Sequence, residues 1–194
     1  MPSFGGVVEG AKDEAVCDEL IRMISPGVEQ ILFRVAGNKP QLMKKFPGLL
    51  HTLGHVTVTG GPVDKAIVIR DADNKDVPGL EEEMQRRMAG RTYPFPGGVA
   101  VHAIRQEIDT WLLVDLGAIN AVAAVRGSRQ VKRRVPRPLE DIQQPSLLLQ
   151  DILSDAGLNY TAEVFRQLAA RLDPNKLRAE CPSFAAFEQK ILDP

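Results

Sequence analysis

The stretch Ala66-Ile-Val-Ile-Arg-Asp-Ala-Asp73 decides how the rest of this 194-residue chain is interpreted. Its β-branched run predicts a strand that is buried on both faces, as in a parallel sheet covered by helices. Asp71 and Asp73 follow at once, two residues apart, so both carboxylates can turn towards one point. Neighbouring carboxylates repel each other unless a cation lies between them, and parallel sheets bind ligands at the carboxyl ends of their strands. The stretch therefore predicts a divalent-metal site.

Alternating strand and helix patterns surround this stretch. Besides the central strand, strands are predicted at residues 4–8, 30–35 and 99–104, and helices at 13–24, 41–53 and 80–88. This alternation favours a Rossmann-like α/β fold, a three-layer sandwich with a mostly parallel central sheet and right-handed crossovers. The later part of the chain has helical patterns, at about 146–156, 161–172 and 183–191. We therefore predict an α/β core over residues 1–110 and a helical C-terminal extension, packed on the core, over residues 111–194.

Composition limits the function classes. Apolar residues make up 44% of the chain and charged residues 25%, as in ordinary globular domains. The formal net charge of -1 gives no global field towards nucleic acid or anionic lipid, so any such attraction must be local. No apolar run is long enough to span a bilayer, and the N-terminus lacks the pattern of a leader peptide. We expect a cytoplasmic protein without membrane contact, and the oligomeric state stays open.

Acidic residues follow two further predicted strands. Glu9 comes directly after the first strand, and Asp13 lies four residues later. Glu107 and Asp109 come just after the fourth strand. If the sheet is parallel, both pairs lie at the same edge as the central pair of aspartates. Mg²⁺ is the expected cofactor, with Mn²⁺ as the alternative, because it prefers hard oxygen ligands and needs only a few carboxylates.

Two of these segments resemble the signatures of the Toprim fold. Val7-Val8-Glu9-Gly10 is similar to its glutamate after the first strand, and Asp71-Ala72-Asp73 to its Asp-x-Asp after the third. Toprim domains occur in primases, topoisomerases, RecR-type recombination proteins, small ribonucleases and nucleases of the "overcoming lysogenization defect" (OLD) type. The spacing Glu9-x-x-x-Asp13 is nearest to the OLD-like branch, which usually has a second glutamate where this chain has Asp13.

Further segments resemble small bacterial Toprim-like proteins of about this length. They are Arg105-Gln-Glu-Ile-Asp-Thr-Trp-Leu-Leu113 and Cys181-Pro-Ser-Phe184. The Toprim resemblance covers about residues 4–110, and the second resemblance covers most of the chain. Each motif is short, and the match depends on their order and spacing together.

The resemblance implies metal-dependent phosphoryl chemistry on DNA or RNA. It implies that Glu9, Asp71 and Asp73 are catalytic, that these three and Asp13 bind the metal ion, and that Glu107 and Asp109 are further ligands or support them. Asp13 is one methylene shorter than the usual glutamate, which weakens the case for a second metal ion. The implied function is a Mg²⁺-dependent nuclease or related phosphoryl-transfer enzyme in bacterial defence or repair, with a protein partner from the same system.

Several basic residues are candidates for contacts to phosphates. They are Arg70, at the end of the central strand, and Arg129, Lys132, Arg133 and Arg134 in a basic, proline-ended segment. A solvated loop explains the basic segment equally well.

The sequence leaves other functions open besides a nuclease. One is a catalytically inactive Toprim-like binding or scaffold protein. Another is a phosphoacceptor receiver domain, which expects an adjacent acidic pair after the first strand and a lysine after a fifth, whereas Glu9 stands alone until Asp13. A phosphatase of the haloacid-dehalogenase type fits less well, because its Asp-x-Asp follows the first strand.

Overall fold

The computed structural model describes residues 3–58 and 61–193. The strands in chain order are β1 (Ser3–Val8), β2 (Gln30–Val35), β3 (Thr57–Val58), β4 (Gly61–Pro62), β5 (Lys65–Asp71) and β6 (Val99–Ile104). One sheet has the order β2-β1-β5-β6, and every pair of neighbours in it is parallel. The predicted α/β fold with a parallel central sheet is confirmed. A separate antiparallel hairpin of β3 and β4 was not predicted, because strands of two residues show no period.

Helices connect the strands and form the C-terminal part of the chain. They are α1 (Ala11–Ile24), α2 (Lys39–Gly54), α3 (Val77–Met88), α4 (Asp109–Leu112), α5 (Leu116–Val125), α6 (Pro145–Asp155), α7 (Ala162–Ala169), α8 (Pro174–Glu180) and α9 (Pro182–Leu192), with a 3-10 turn at Leu139–Asp141. The Asn38 side chain caps α2 by accepting the Gln41 N–H. In the described part of the chain, no helix combines the length and the apolar character needed to cross a membrane.

Helices cover both faces of the sheet, as the burial of β5 requires. Successive residues of a strand point to opposite faces, so Ile67 and Val68 enter different hydrophobic clusters. Val68 packs in the cluster that includes Met84 of α3. Ile67 belongs to a larger cluster with Trp111 and Phe165. Residues beyond 110 thus share a core with the sheet, while a domain boundary at residue 110 stays a prediction.

The parallel topology brings distant segments to one edge of the sheet. β1 ends at Val8 and β5 at Asp71, and α1 and α2 begin at the same edge, directly after β1 and β2. The backbone joins two of these ends, because the Ala36 N–H donates to the Val8 carbonyl and the Gly37 N–H to the Glu9 carbonyl, each at 2.9 Å. Functional side chains at this edge are therefore positioned by backbone bonds of the sheet.

Candidate metal centre

A cleft of about 440 Å³ opens at the carboxyl ends of β1 and β5. Its charged lining residues are the carboxylates of Glu9, Asp13, Asp71, Glu107 and Asp109 and the amines of Lys12 and Lys39. The C-terminal extension contributes a polar wall of Ser146, Gln150 and Tyr160. Five carboxyl groups against two lysines give this cleft an excess of acidic groups, which favours a cation.

Backbone amides hold three of the carboxylates. The Asp71 N–H donates to Glu9 Oε1 at 3.3 Å, and the Gly10 N–H donates to Asp13 Oδ2 at 2.8 Å. The Ile108 N–H donates to Asp71 Oδ1 at 3.1 Å. Each of these bonds uses one oxygen of the carboxylate, so the second oxygen can serve another donor or a metal ion.

Four acids of the cleft, Glu9, Asp13, Asp71 and Asp109, lie in surroundings that disfavour their charge. Burial raises the pKa of Glu9 to about 7 and that of Asp109 to about 6. Burial also raises the pKa of Asp13, and it raises the pKa of Asp71 well above the usual range, with Asp13 and Glu9 adding to the effect on Asp71. A bound cation would relieve both the desolvation and the mutual repulsion.

Lys39 is a cation of this site that the sequence analysis missed. Its Nζ contacts Asp73 Oδ1 and lies 3.9 Å from Asp71 Oδ2. Burial lowers the pKa of Lys39, but the bond to Asp73 and the charges of Asp71 and Glu9 outweigh this effect, so the pKa is raised. The Asp71/Asp73 pattern indicated a cation between the two acids. A lysine more than 30 residues earlier in the sequence could be connected with that position only once β2 was placed beside β1.

Glu107 and Asp109 attach the C-terminal extension to the cleft. The Ser146 N–H, at the start of α6, donates to Glu107 Oε2 at 3.0 Å. The Tyr160 hydroxyl donates to Asp109 Oδ1, and Lys12 Nζ lies 3.7 Å from the centroid of the Tyr160 ring. Both acids line the cleft, but each has a partner in the extension that accounts for its position.

The structure places Asp73 at the rim and not among the residues that line the cleft. Side chains two residues apart point the same way within a strand, but β5 ends at Asp71 and does not include Asp73. Asp73 has a φ of 51°, in the left-handed region, and its side chain is 37% exposed. Asp73 therefore lies beyond the end of the strand, and its carboxylate and that of Asp71 meet at Lys39 Nζ.

The predicted phosphate contacts also lie outside the cleft. Arg70 points to the other face of the sheet and lines a separate cavity of about 330 Å³ with residues of α3. The other four basic residues are exposed on a segment between α5 and the 3-10 turn, whose Val131 and Val135 are buried. Arg133 pairs with Asp155 at the end of α6, far from the Ser146 end that borders the cleft.

Within residues 3–58 and 61–193, no three His, Cys, Asp or Glu side chains lie close enough together to hold a metal ion. The donor set of the cleft nevertheless suits Mg²⁺. This ion is usually bound through one or two carboxylates, and it keeps several waters or takes oxygens from a phosphate. The backbone-held acids with raised pKa values supply hard oxygen ligands of this kind.

Fold and site together define an α/β protein with an acidic cleft at the carboxyl edge of a parallel sheet. The chain belongs to the family described as Domain of unknown function (DUF4276), whose model matches residues 8–192. Among solved structures it is similar to the C-terminal region of the Burkholderia pseudomallei OLD protein, at 14% identity, with 97% of this chain and 96% of that chain covered and a TM-score of 0.44. This likeness is too distant to carry an argument. No curated protein matches the chain.

Proposed function

We propose that this chain is a Mg²⁺-dependent, Toprim-like nuclease or related phosphoryl-transfer enzyme that acts on DNA or RNA. The observation that supports the proposal is the cleft itself, where five carboxylates line one site at the strand ends of a parallel sheet. Burial raises the pKa values of four of these acids, Glu9, Asp13, Asp71 and Asp109, and a cluster of strongly perturbed acids in a cleft favours a functional site. A role in bacterial defence or repair, with a protein partner from the same system, is part of this proposal.

One or two of the carboxylates of Glu9, Asp13 and Asp71 would hold Mg²⁺ through the oxygens that their backbone bonds leave free, and waters would complete its shell. A bound Mg²⁺ polarises a phosphate oxygen and lowers the pKa of a bound water. Lys12 and Lys39 bring positive charge to the same cleft, where a phosphate would lie. Tyr160 and Ser146, held by Asp109 and Glu107, form the wall that limits the volume open to substrate.

The start of α1 also lies in the cleft, since Gly10 caps this helix and lines the site. Helix N-termini carry partial positive charge and favour phosphate groups. The cleft therefore combines oxygen ligands for a cation with cationic groups for the phosphate that a bound ion would face. This combination favours a phosphoryl-transfer site over a simple cation store.

The test is a cleavage assay on single-stranded and duplex DNA and RNA with Mg²⁺ or Mn²⁺. The wild-type chain should cleave at least one substrate class, and a chelator or the substitution Asp71→Ala should abolish cleavage. Glu82→Ala is the matched control, because the Glu82 side chain is exposed on α3 and lies outside the cleft. Absence of cleavage with every substrate and both metals would count against the enzyme.

A binding or scaffold protein is the second candidate, and Lys39 is the observation that favours it. Its ammonium already neutralises part of the Asp71 and Asp73 pair without a metal ion. In that case nucleic-acid or protein binding should persist in a chelator, and Asp71→Ala should leave the affinity unchanged. Metal-dependent cleavage by the wild-type chain would exclude this candidate.

A further inference from the structure

We propose that Lys39 supplies the second positive charge of this site, so that the cleft takes one divalent cation and not two. The inference rests on the proposed metal site and specifies its stoichiometry. Lys39 contacts Asp73 and lies 3.9 Å from Asp71. These are the two carboxylates that a second ion bridging the pair would need.

The fold holds Lys39 in this place. Lys39 is the first residue of α2, and the Asn38 side chain caps that helix by accepting the Gln41 N–H at 2.9 Å. The preceding Gly37 has a φ of 113°, which favours glycine, and its N–H donates to the Glu9 carbonyl. The backbone that carries Lys39 is therefore bonded directly to the residue that would bind the metal ion.

The side chain is confined as well as its backbone. The Lys39 side chain is only 27% exposed, and three acids, Asp71, Asp73 and Glu9, hold its charge. A second divalent ion at Asp71 and Asp73 would have to displace this ammonium or lie beside it against charge repulsion.

Lys12 provides a matched comparison within the same cleft. It carries the same charge and lines the same cleft, but its Nζ lies over the Tyr160 ring. Lys12→Met and Lys39→Met therefore remove equal charge from one electrostatic environment. Only the second removes the cation that neighbours Asp71 and Asp73.

The experiment is a Mn²⁺ titration of the purified full-length chain by calorimetry, with bound Mn²⁺ counted by electron paramagnetic resonance. The wild type should bind one ion. Lys39→Met should bind a second ion, or bind the first about tenfold more tightly or better, because a neighbouring charge shifts such equilibria by about one to three decades. Lys12→Met should leave the stoichiometry at one, because Lys12 Nζ lies over the Tyr160 ring and not beside Asp71 and Asp73. Lys39→Arg, which keeps the charge, should retain a stoichiometry of one.

The outcomes separate this inference from the proposed function. Two ions in the wild type would overturn the role of Lys39 and leave the metal site intact. Equal effects of Lys39→Met and Lys12→Met would also overturn it, because the general field alone would explain them. No bound ion in the wild type would overturn the proposed metal site and this inference with it. Thermal unfolding checks the fold of each variant, and Lys39→Gln replaces the methionine variant if that variant does not fold.

Discussion

Two groups of acidic residues lie beside the sheet, and they differ in how their charges are compensated. The first is the acidic cleft at the carboxyl ends of β1 and β5. The second, which we call the α9 junction, consists of Glu81, Glu140, Ser183 and Lys190 beside the edge strand β6, around a cavity of about 470 Å³. Both groups contain carboxylates with little access to solvent.

At the α9 junction, every carboxylate has more than one donor. Glu140 accepts the N–H of Ser183 at 2.8 Å and also its hydroxyl, while Trp111 Nε1 donates to Ser183 Oγ at 2.9 Å. Glu140 thus supports the start of α9, where a negative charge is favourable.

Glu81 and Lys190 cover the outer edge of β6. Glu81 accepts the Ala103 N–H at 2.8 Å and a bond from Lys190 Nζ at 2.6 Å, and Lys190 also donates to the Val101 carbonyl at 2.8 Å. The ion pair thereby satisfies backbone groups that an edge strand would otherwise expose to pairing with another chain. The ion pair also joins α3 to α9 across that edge, so these charges stabilise the fold.

The cleft gives Glu9 and Asp13 backbone donors in place of such side-chain bonds. Glu9 and Asp13 each accept a backbone N–H, and they lie near Asp71, which raises the pKa of Asp71 further. The difference teaches that burial of a carboxylate does not mark a functional site. A shortage of donors around a buried carboxylate favours a functional site, because the fold then gains little from the charge.

The largest expected effect follows from Asp71→Asn. It should weaken Mn²⁺ binding by about 100-fold or more, since loss of even a supporting partner of a metal ligand costs about 10–100-fold. At pH 7 without metal the variant should be more stable than the wild type. The pKa of Asp71 is raised by burial, so its ionised form destabilises the native state at every pH above the unfolded pKa. The asparagine oxygen can still accept the Ile108 N–H.

Calorimetric titration and thermal unfolding measure these two effects. Asp141→Asn is the control, because Asp141 is exposed and pairs with Arg105, and it should change neither quantity appreciably. A loss of stability with unchanged Mn²⁺ affinity would show that Asp71 belongs with the structural acids of the α9 junction.

Glu140→Ala should have the opposite pattern. It leaves the N–H and the hydroxyl of Ser183 without their acceptor, and each buried unpaired group costs about 1–3 kcal/mol. The free energy of unfolding, measured in urea, should fall by about 2 kcal/mol or more, while the Mn²⁺ affinity stays within about twofold. Glu140→Gln keeps an acceptor oxygen and should lose less. Unchanged stability combined with lost Mn²⁺ binding would remove the distinction between the two groups.

Much of the fold could be predicted because buried parallel strands carry continuous apolar runs. The predicted strands at Gln30–Val35 and Val99–Ile104 agree with the structure in both bounds. Short elements could not be predicted in the same way. The helix α4, of four residues, and α8, of seven, are too short to show a clear helical period.

The candidate site also has a part that could be predicted from the sequence and a part that could not. The five acids of the cleft follow strand ends, and parallel strands place such ends at one edge, so their proximity was predictable; their role as ligands stays a prediction. Lys39 and Tyr160 were not predicted, because their positions depend on the order of the strands and on how the extension folds back. Asp71 and Asp73 were expected to converge on one cation, and both approach Lys39 Nζ, although Asp73 lies beyond the end of β5 with a φ of 51°.

We expect the smallest effect in the pH dependence of stability and of Mn²⁺ affinity. This dependence tests directly whether the buried acids of the cleft have too few hydrogen-bond donors. Burial raises the pKa of Glu9 from its ordinary 4.5 to about 7, so the native state holds a proton that the unfolded chain has lost. Without metal, the contribution of Glu9 to the free energy of unfolding should therefore be greatest below about pH 4.5. It should fall as the pH rises towards 7. Mn²⁺ needs the deprotonated carboxylate, so its affinity should rise roughly tenfold between about pH 6 and pH 8. Glu9→Gln should reduce that rise, while the contribution of Asp71, whose pKa is also raised, should remain. An affinity that is flat over this range in the wild type would mean that Glu9 is already ionised and compensated, as the acids of the α9 junction are.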